Sequence, residues 1–475
     1  MTSTYDALVI GSGPNGLSAA IALARAGHRV KVFECYDFPG GGARSAELTQ
    51  PGFVHDVCSS IHPMAVCSPF FNSLPLEDFG LEWIYPESCV AHPLDDGSAA
   101  VMYPSLEKTV AGLGEDGKAY HAVFEPLVRD SEKLFPYLLG PPGIPGLSLW
   151  FGLARFGLRV LPSANRFAQR KFKSEATRAL FAGNAAHSFL PLDRRISTSA
   201  IGIMLMLAGH VKGWPFPRGG AGKIAEALVR YFESLGGEIE CSRKINLLDE
   251  LPPADVVFFD TRPADMAGIA GDRLPASYRN KLERFRHGPG VFKIDYALSE
   301  PVPWTAENCR RAGTVHAGGT LEEIASAELA PWEGKHSEKP FVLTAQHSLF
   351  DPSRTPETKH TFWAYCHVPV GSTLDMTEAI ENQIERFAPG FRDCVLDRHT
   401  MNCVDFECMN PNLFSGDIVG GVADWKQLLS RPTFRLKPHS TPNPRIFICS
   451  ASTPPGGGVH GMGGFNAVSA WQARQ

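Results

Sequence analysis

Basic residues are too few to give the chain a positive face: 45 Lys and Arg stand against 50 Asp and Glu, for a formal charge of -5, with no long basic run. A phosphate backbone would find no complementary surface, so nucleic acid is not an expected partner. The 11 cysteines include no close pair at zinc-finger spacing, which fits a reducing compartment and leaves no structural metal to expect. Cys403 and Cys408 have the spacing of a redox dithiol but fall late in the chain, far from the first glycine turn, so dithiol chemistry is not expected. Apolar runs are short. The first, Tyr5 to Ile10, follows only four residues and cannot serve as the core of a signal peptide with its charged flank. Export or organelle import by a leading peptide is therefore not expected; the expected location is cytoplasmic, with a membrane-peripheral one as the alternative. The 46 Gly and 38 Pro follow no repeat, excluding collagen-like and linker readings. No Ser-His-Asp or paired-carboxylate arrangement has diagnostic spacing.

What is present is a 475-residue chain with 44% hydrophobic and 20% charged residues, enough for several packed layers. Tyr5 to Ile10 reads as a strand and is followed at once by Gly11-Ser-Gly13-Pro14-Asn15-Gly16. A helix-periodic stretch from Leu17 to Ala26 comes next, then a second strand from Arg29 to Glu34. Gly11 allows the tight turn, Gly13 leaves no Cβ between backbone and a pyrophosphate, and Gly16 lets the helix sit close to the sheet. The phosphates then meet the free N–H groups and positive end of that helix. Glu34 closes the second strand, where a carboxylate can accept hydrogen bonds from the hydroxyls of an adenosine ribose and would repel a 2′-phosphate. These features predict nucleotide binding and leave NAD and FAD both open. The next cluster, Pro39-Gly-Gly41-Gly42-Ala-Arg44-Ser45, could run beside an extended dinucleotide, with Arg44 or Ser45 reaching a phosphate oxygen.

Gly52 to Pro63 carries His55, Asp56 and His62. Adjacent His55 and Asp56 would point to opposite strand faces, so metal binding is not expected, and the group reads as structural or cofactor-adjacent. From Pro141 to Pro162 an aromatic and leucine-rich stretch sets Arg155 and Arg159 on one helical face. It predicts a pocket wall or core helix, with a lipid interface as the alternative, and is too short and charged to span a bilayer. Ile196 to His210 predicts a buried helix. Pro215 to Ile239 predicts a helix with Ile224, Leu228 and Phe232 inward, ended by Gly236-Gly237. Ala254 to Phe259 reads as a buried strand, so nucleotide-domain material returns after a long excursion and that domain is expected to be discontinuous. Val291 to Leu298 and Thr361 to Cys366 predict strands of a second sheet with one face toward a cavity or core. The last segment runs from a strand, Pro444 to Cys449, into Gly456-Gly-Gly-Val-His460-Gly-Met462-Gly463-Gly464-Phe465, with a helix starting near Gly464. A helix start there can face the edge of a flavin ring where reduction places negative charge. Two glycine-rich helix starts are easier to explain with one long FAD than with NAD alone.

Together, Gly11 to Gly16, Glu34, Gly40 to Ser45 and Gly456 to Ala467 resemble the phytoene desaturase, carotenoid isomerase and retinol saturase group of FAD-dependent oxidoreductases. Within that group they are most similar to the pyridine nucleotide-disulfide oxidoreductase domain-containing protein 2 type. The resemblance implies an α/β fold with an α+β substrate domain: a discontinuous Rossmann-like FAD-binding domain of the glutathione-reductase or amine-oxidase type, joined to a mixed-sheet and helical substrate domain. The expected segments are an FAD-binding first part over 1–75, a helical substrate or cap region over 76–210, an FAD-binding second part over 211–262, a substrate-domain sheet over 263–410 and a C-terminal FAD-binding part over 411–475. It implies pyrophosphate contact at Gly11, Gly13, Pro14, Asn15 and Gly16, ribose contact at Glu34, and phosphate or flavin contact at Gly41, Gly42, Arg44 and Ser45. Adenine would meet the backbone of Ile245, and the isoalloxazine edge Met462, Gly463, Gly464 and Phe465.

In such a protein the cofactor carries the redox step and few ionisable side chains are required. His460 is the first polar candidate for catalysis, with His187 and His62 behind it, each weighed against a structural histidine. The leading expectation is hydride transfer, as desaturation, saturation or isomerisation, on a hydrophobic isoprenoid-like substrate, with the electron acceptor and oligomeric state unassigned. An amine oxidase-like flavoenzyme with an aromatic-lined flavin pocket is one alternative, and an FAD-stabilised interaction protein without turnover is another.

Overall fold

The computed structural model describes residues 5–140 and 146–475. In chain order the elements that frame the interior are β1 (Tyr5–Ile10), α1 (Pro14–Arg25), β2 (Val30–Phe33), β3 (Ser88–Pro93), β4 (Ala99–Met102), α2 (Leu147–Val160), α3 (Glu175–Ala186), α4 (Ser197–Lys212) and α5 (Gly222–Ser234). They continue with β5 (Glu238–Glu240), β6 (Ala254–Phe259), β7 (Gly290–Leu298), β8 (Ala312–Ala317), β9 (Val342–Ala345), β10 (His360–Val368), β11 (Val395–Met401), β12 (Ile446–Ile448) and α6 (Met462–Gln472).

Five strands make a wholly parallel sheet in the order β12-β6-β1-β2-β5. Parallel strands need both faces covered, and their side chains divide accordingly. Ala7, Val9, Val32 and Phe258 pack toward α1 and α6, while Leu8, Ile10, Phe33 and Phe259 pack toward the helix Pro263–Ala270 and its successor. Proline at the first position starts α1, and Gly27, at φ +87°, lets the chain leave it for β2. The sheet draws on residues at both ends and in the middle of the chain, so the nucleotide-binding domain is discontinuous, as the returning strand at Ala254 to Phe259 predicts.

The second sheet has seven strands in the order β11-β7-β10-β9-β8-β3-β4, antiparallel except where β8 meets β3. Residues 76–210, expected as a helical substrate or cap region, supply helices and also β3 and β4, which extend the sheet built by residues 263–410. β3 is buried along its whole length and shows no alternation to betray it. Helices α2, α3 and α4 pack as a layer beside this sheet. In α2 the arginines face inward onto the helix Gly117–Arg129: Arg155 pairs with Asp130 at 3.1 Å and Arg159 donates to the carbonyl of Ala122. Trp150 and Phe151 are left 52% and 75% exposed, while Phe156 is buried. Residues 141–145 of the Pro141 to Pro162 stretch lie outside the described residues. Among the described residues, no helix is long and apolar enough to cross a membrane.

Candidate functional site

A single cavity of about 1020 Å³ runs from the carboxyl ends of β1, β2 and β6, where a parallel sheet opens its crevice, to the face of the seven-stranded sheet. Gly11, at φ +96°, makes the turn out of β1, and Gly11, Gly13, Pro14 and Asn15 form the wall there. Gly13 caps α1 without any side-chain hydrogen bond of its own; Pro14 has no N–H to offer and the Gly16 N–H is taken by Asp260, so the Asn15 N–H is what the first turn keeps for a ligand. Gly16 lies behind the wall. A Cβ on it would come 2.1 Å from the carbonyl oxygen of Gly11, and its N–H donates to Asp260 Oδ2 at 2.8 Å. Asp260, the residue after β6, is a cavity residue that sequence reasoning missed; burial pushes its carboxyl up to about 7.

At the end of β2, Glu34 is buried on the wall, accepting from the Ser12 N–H at 2.9 Å and hydroxyl at 2.5 Å and from the Tyr36 N–H at 3.1 Å. Ile245 lines the cavity beside it, its strand neighbourhood tied on by the Arg243 N–H donating to the Glu34 carbonyl at 2.8 Å. Gly41 and Gly42 are on the wall too, and a Cβ on Gly41 would approach the Cα of Gly13 to 2.9 Å, which shows how closely the two glycine segments run. Arg44 reaches the cavity with one nitrogen donating to the Met409 carbonyl and its buried Nε without a partner. Ser45 turns away. Its hydroxyl donates to Asp56 and accepts from the Gly222 N–H at 3.0 Å, tying this loop to α5.

The carboxyl-terminal glycine loop closes on the same cavity through Gly457, Gly458, Val459 and His460. Met462, Gly463, Gly464 and Phe465 are not on its wall. The two glycines bring α6 against α1, where Cβ atoms would lie 2.6 Å from the Cys449 carbonyl oxygen and 2.0 Å from that of Asn15; Phe465 stacks on Phe70. His460 is buried, accepts the Met462 N–H at Nδ1, and is pulled down to about 4 by burial.

Toward the seven-stranded sheet the lining becomes aromatic and apolar. Trp363 and Tyr365 project from β10 on one face, their rings 4.9 Å apart, and Phe156, Phe189 and Trp214 complete that end. His187 lines it as well, 3.2 Å from His316 behind it, and burial pulls it down to about 3. His62 lies between the two ends, pulled down to about 4, with Nε2 near the Ser59 hydroxyl and Nδ1 unpartnered. The structure thus brings all three candidate histidines to one cavity in a form that is neutral at pH 7. Sequence reasoning found the β10 strand but not which side chains it turns inward.

His55 and Asp56 belong to a buried polar network. Arg354 donates to Asp56 at 2.8 Å and, against the burial that would raise it, helps hold that carboxyl well below the usual range. His55 lies 3.7 Å from Asp295, which pairs with buried Lys293. Among the described residues, no cluster of three or more His, Cys, Asp or Glu is placed to hold a metal ion.

The residues of the sheet-end half fit a dinucleotide. The close-packed glycine turn, Glu34 on the wall, and the orphaned Arg44 Nε and Asn15 Oδ1 suit a ligand with anionic oxygens and polar hydrogens.

A model of the NAD(P)-binding Rossmann-like domain family matches residues 9–72. The chain is 24% identical over 547 residues to pyridine nucleotide-disulfide oxidoreductase domain-containing protein 2 of Mus musculus, covering 98% of this chain and 92% of that protein. It is 25% identical over 525 residues to the neurosporene-forming phytoene desaturase of Cereibacter sphaeroides, covering 98% and 93%. Among solved structures it is similar to an oxidoreductase from Methanosarcina mazei, with a TM-score of 0.65 and 16% identity over 98% of this chain and 100% of that one. Putrescine oxidase bound to putrescine superposes with a TM-score of 0.61 and 17% identity over 99% of both chains. Cyclohexylamine oxidase from Brevibacterium oxydans IH-35A gives 0.57 and 14% over 99% and 98%. The chain is related to a broad family of FAD/NAD(P)-binding oxidoreductases that includes phytoene desaturases, and it has the discontinuous Rossmann-like domain and mixed substrate domain of that fold.

Proposed function

We propose that this FAD-dependent oxidoreductase exchanges a hydride with a small hydrophobic molecule held at the aromatic end of its cavity. The observation that carries the reading is the meeting of the two glycine-rich turns, one after β1 and one before α6, on one cavity whose far wall is aromatic. Bound FAD supplies the hydride-accepting and hydride-donating chemistry. Gly13 and Gly41 leave room for the diphosphate, Glu34 holds the ribose, Arg44 faces the phosphates, and the backbone of Ile245 meets the adenine. The loop of Gly457 to His460 sets the flavin end, with His460 shaping the loop as a neutral imidazole. Trp363 and Tyr365 orient the substrate, and the apolar walls exclude water. His187 and His62 offer neutral hydrogen-bonding positions and carry no proton at pH 7 to donate as imidazolium.

The aromatic wall favours a hydrophobic amine as substrate, the class on which the cyclohexylamine oxidase of the same fold is named to act. The cavity's carboxylates, Glu34, Asp260 and Asp265, all stand at the nucleotide end, so an amine would bind uncharged. An isoprenoid polyene is the second reading, supported by the full-length similarity to phytoene desaturase and by the apolar side chains of Ile201, Met204 and Leu205 from α4. Substrate would enter past α2, where exposed Trp150 and Phe151 also suit a peripheral membrane contact.

The test is anaerobic flavin reduction in the reconstituted protein. Bleaching by cyclohexylamine but not by phytoene in detergent supports the amine reading, and the reverse supports the isoprenoid one. A protein that binds FAD yet is reduced by neither class would return attention to an interaction role without turnover.

A further inference from the structure

The three glycines of the first turn are packed against one acid. A Cβ on Gly13 would lie 2.7 Å from Asp260 Oδ2, one on Gly11 would lie 2.7 Å from the Asp260 carbonyl oxygen, and one on Gly16 would lie 3.1 Å from the Asp260 Cβ. Asp260 is buried, lines the cavity, and uses Oδ2 to accept the Gly16 N–H in the first turn of α1. A carboxylate therefore stands where the helix start would otherwise offer its positive end to the diphosphate alone. Two adjoining anions in a buried site are strongly unfavourable, so one must lose its charge. The diphosphate of FAD cannot do so near neutral pH, whereas a carboxylic acid can.

We propose that Asp260 is a cofactor-binding residue that holds the diphosphate as a neutral carboxylic acid, so that FAD uptake carries one proton into the protein. The inference rests on the FAD reading above. In the acid form Asp260 keeps the Gly16 bond and gains a donor for an anionic oxygen. The groups around it favour that form. Glu34 at the end of β2 adds negative charge, and Cys449, just after β12, is a neutral thiol that burial pushes well up. Arg262, two residues on, is spent on Asp265 with contacts of 2.8 Å from Nε and from a terminal nitrogen. Arg44 lies across the cavity with the orphaned Nε that suits the phosphate itself. The α1 start is the one favourable partner of the charged form, and a bound diphosphate competes for it. Burial pushes the acid up to about 7, with the Glu34 charge adding in the same direction.

The linkage has a definite sign. Binding that requires the protonated acid weakens as pH rises above the free-protein value, by about tenfold in Kd per pH unit until the bound-state value is reached. The experiment is titration of apoprotein with FAD at pH 6, 7, 8 and 8.5, together with calorimetry at pH 8 in two buffers of different ionisation enthalpy, which counts protons without any variant. The expected results are a Kd that rises across this range and uptake of about one proton at pH 8. Asp260→Asn, which keeps an acceptor for Gly16 and supplies a fixed donor, should bind with a flat pH profile and no proton uptake. Tight FAD binding by the wild-type protein with neither pH dependence nor proton uptake would overturn the role of Asp260 while leaving the flavoprotein reading intact. An Asn variant with the wild-type pH profile would do the same. No FAD binding by either protein at any pH would remove the flavoprotein reading and this proposal with it.

Discussion

Gly464 meets Asn15 backbone to backbone: the Cβ that Gly464 lacks would sit 2.0 Å from the carbonyl oxygen of Asn15 and 2.6 Å from the amide nitrogen of Ala19. The last helix is thus seated on the first with no side chain between them. Gly464→Ala should force α6 off α1 and destabilise the protein by about 1–3 kcal/mol or more. Thermal unfolding of apoprotein should register the loss. A normal melt combined with reduced flavin content would instead make Gly464 a cofactor contact.

Gly13→Ala is expected to behave differently. Its methyl group would press on Asp260 Oδ2 at 2.7 Å, displacing the acid proposed above to hold the diphosphate. Flavin occupancy of the purified variant should fall about tenfold or more, corresponding to about 1.4 kcal/mol of lost binding. Near-normal occupancy would remove this turn from the cofactor site.

His460→Ala and His187→Gln should leave the pH profile of single-turnover flavin reduction unchanged between pH 6 and 8. Burial holds these imidazoles down at about 4 and about 3, so neither titrates in that window. Substrate affinity is the quantity expected to move for His187, whose ring lines the aromatic end. Loss of a pH-dependent limb in either variant would identify a proton-transfer group.

Acid should unfold the protein early. His55, His62, His92, His210, His439 and His460 are all pulled down to about 4 by burial, and His187 to about 3. Because these values are depressed, the unfolded chain binds more protons than the folded one below about pH 6.5, and stability falls as pH falls. Each such histidine removes about 1.4 kcal/mol per pH unit until its folded value is reached. Melting temperature should be level near pH 7.5 and drop steeply below pH 6; a flat profile down to pH 5 would contradict the burial.

Arg354→Met should cost about 3–5 kcal/mol, because it leaves Asp56 buried and charged without its ion-pair partner. The double variant with Asp56→Asn should recover part of that loss in chemical denaturation. A double variant destabilised by the sum of the Arg354→Met and Asp56→Asn losses would show the pair to be uncoupled.

The parts of the fold governed by local rules were legible in the sequence. The strand, glycine turn, helix and strand from Tyr5 to Glu34 lie where periodicity and turn chemistry put them, and Ala254 to Phe259 is a strand over the predicted residues. What depended on distant partners was not. Nothing in an aspartate that follows a strand announces that it will point into a glycine turn roughly 250 residues earlier. Trp363 and Tyr365 alternate as a strand should, but which face meets the cavity was set by β7 and β9 pairing on either side of β10. Glycine-rich segments carried the opposite ambiguity. Gly457 and Gly458 line the cavity whereas Gly463 and Gly464 serve helix packing, and both uses require the same missing side chain.

The order of strands in the parallel sheet bears on how the chain is made. β1 precedes its inner neighbour β6 by some 250 residues, and the outer strand β12 comes near residue 447. A nascent chain can form the β1 to β2 unit at once, but that unit presents a bare edge until the rest arrives. The crevice at the carboxyl ends of β1 and β6 is complete only once β6 has been added. Until then the β1 edge is the part of the chain most open to pairing with another strand.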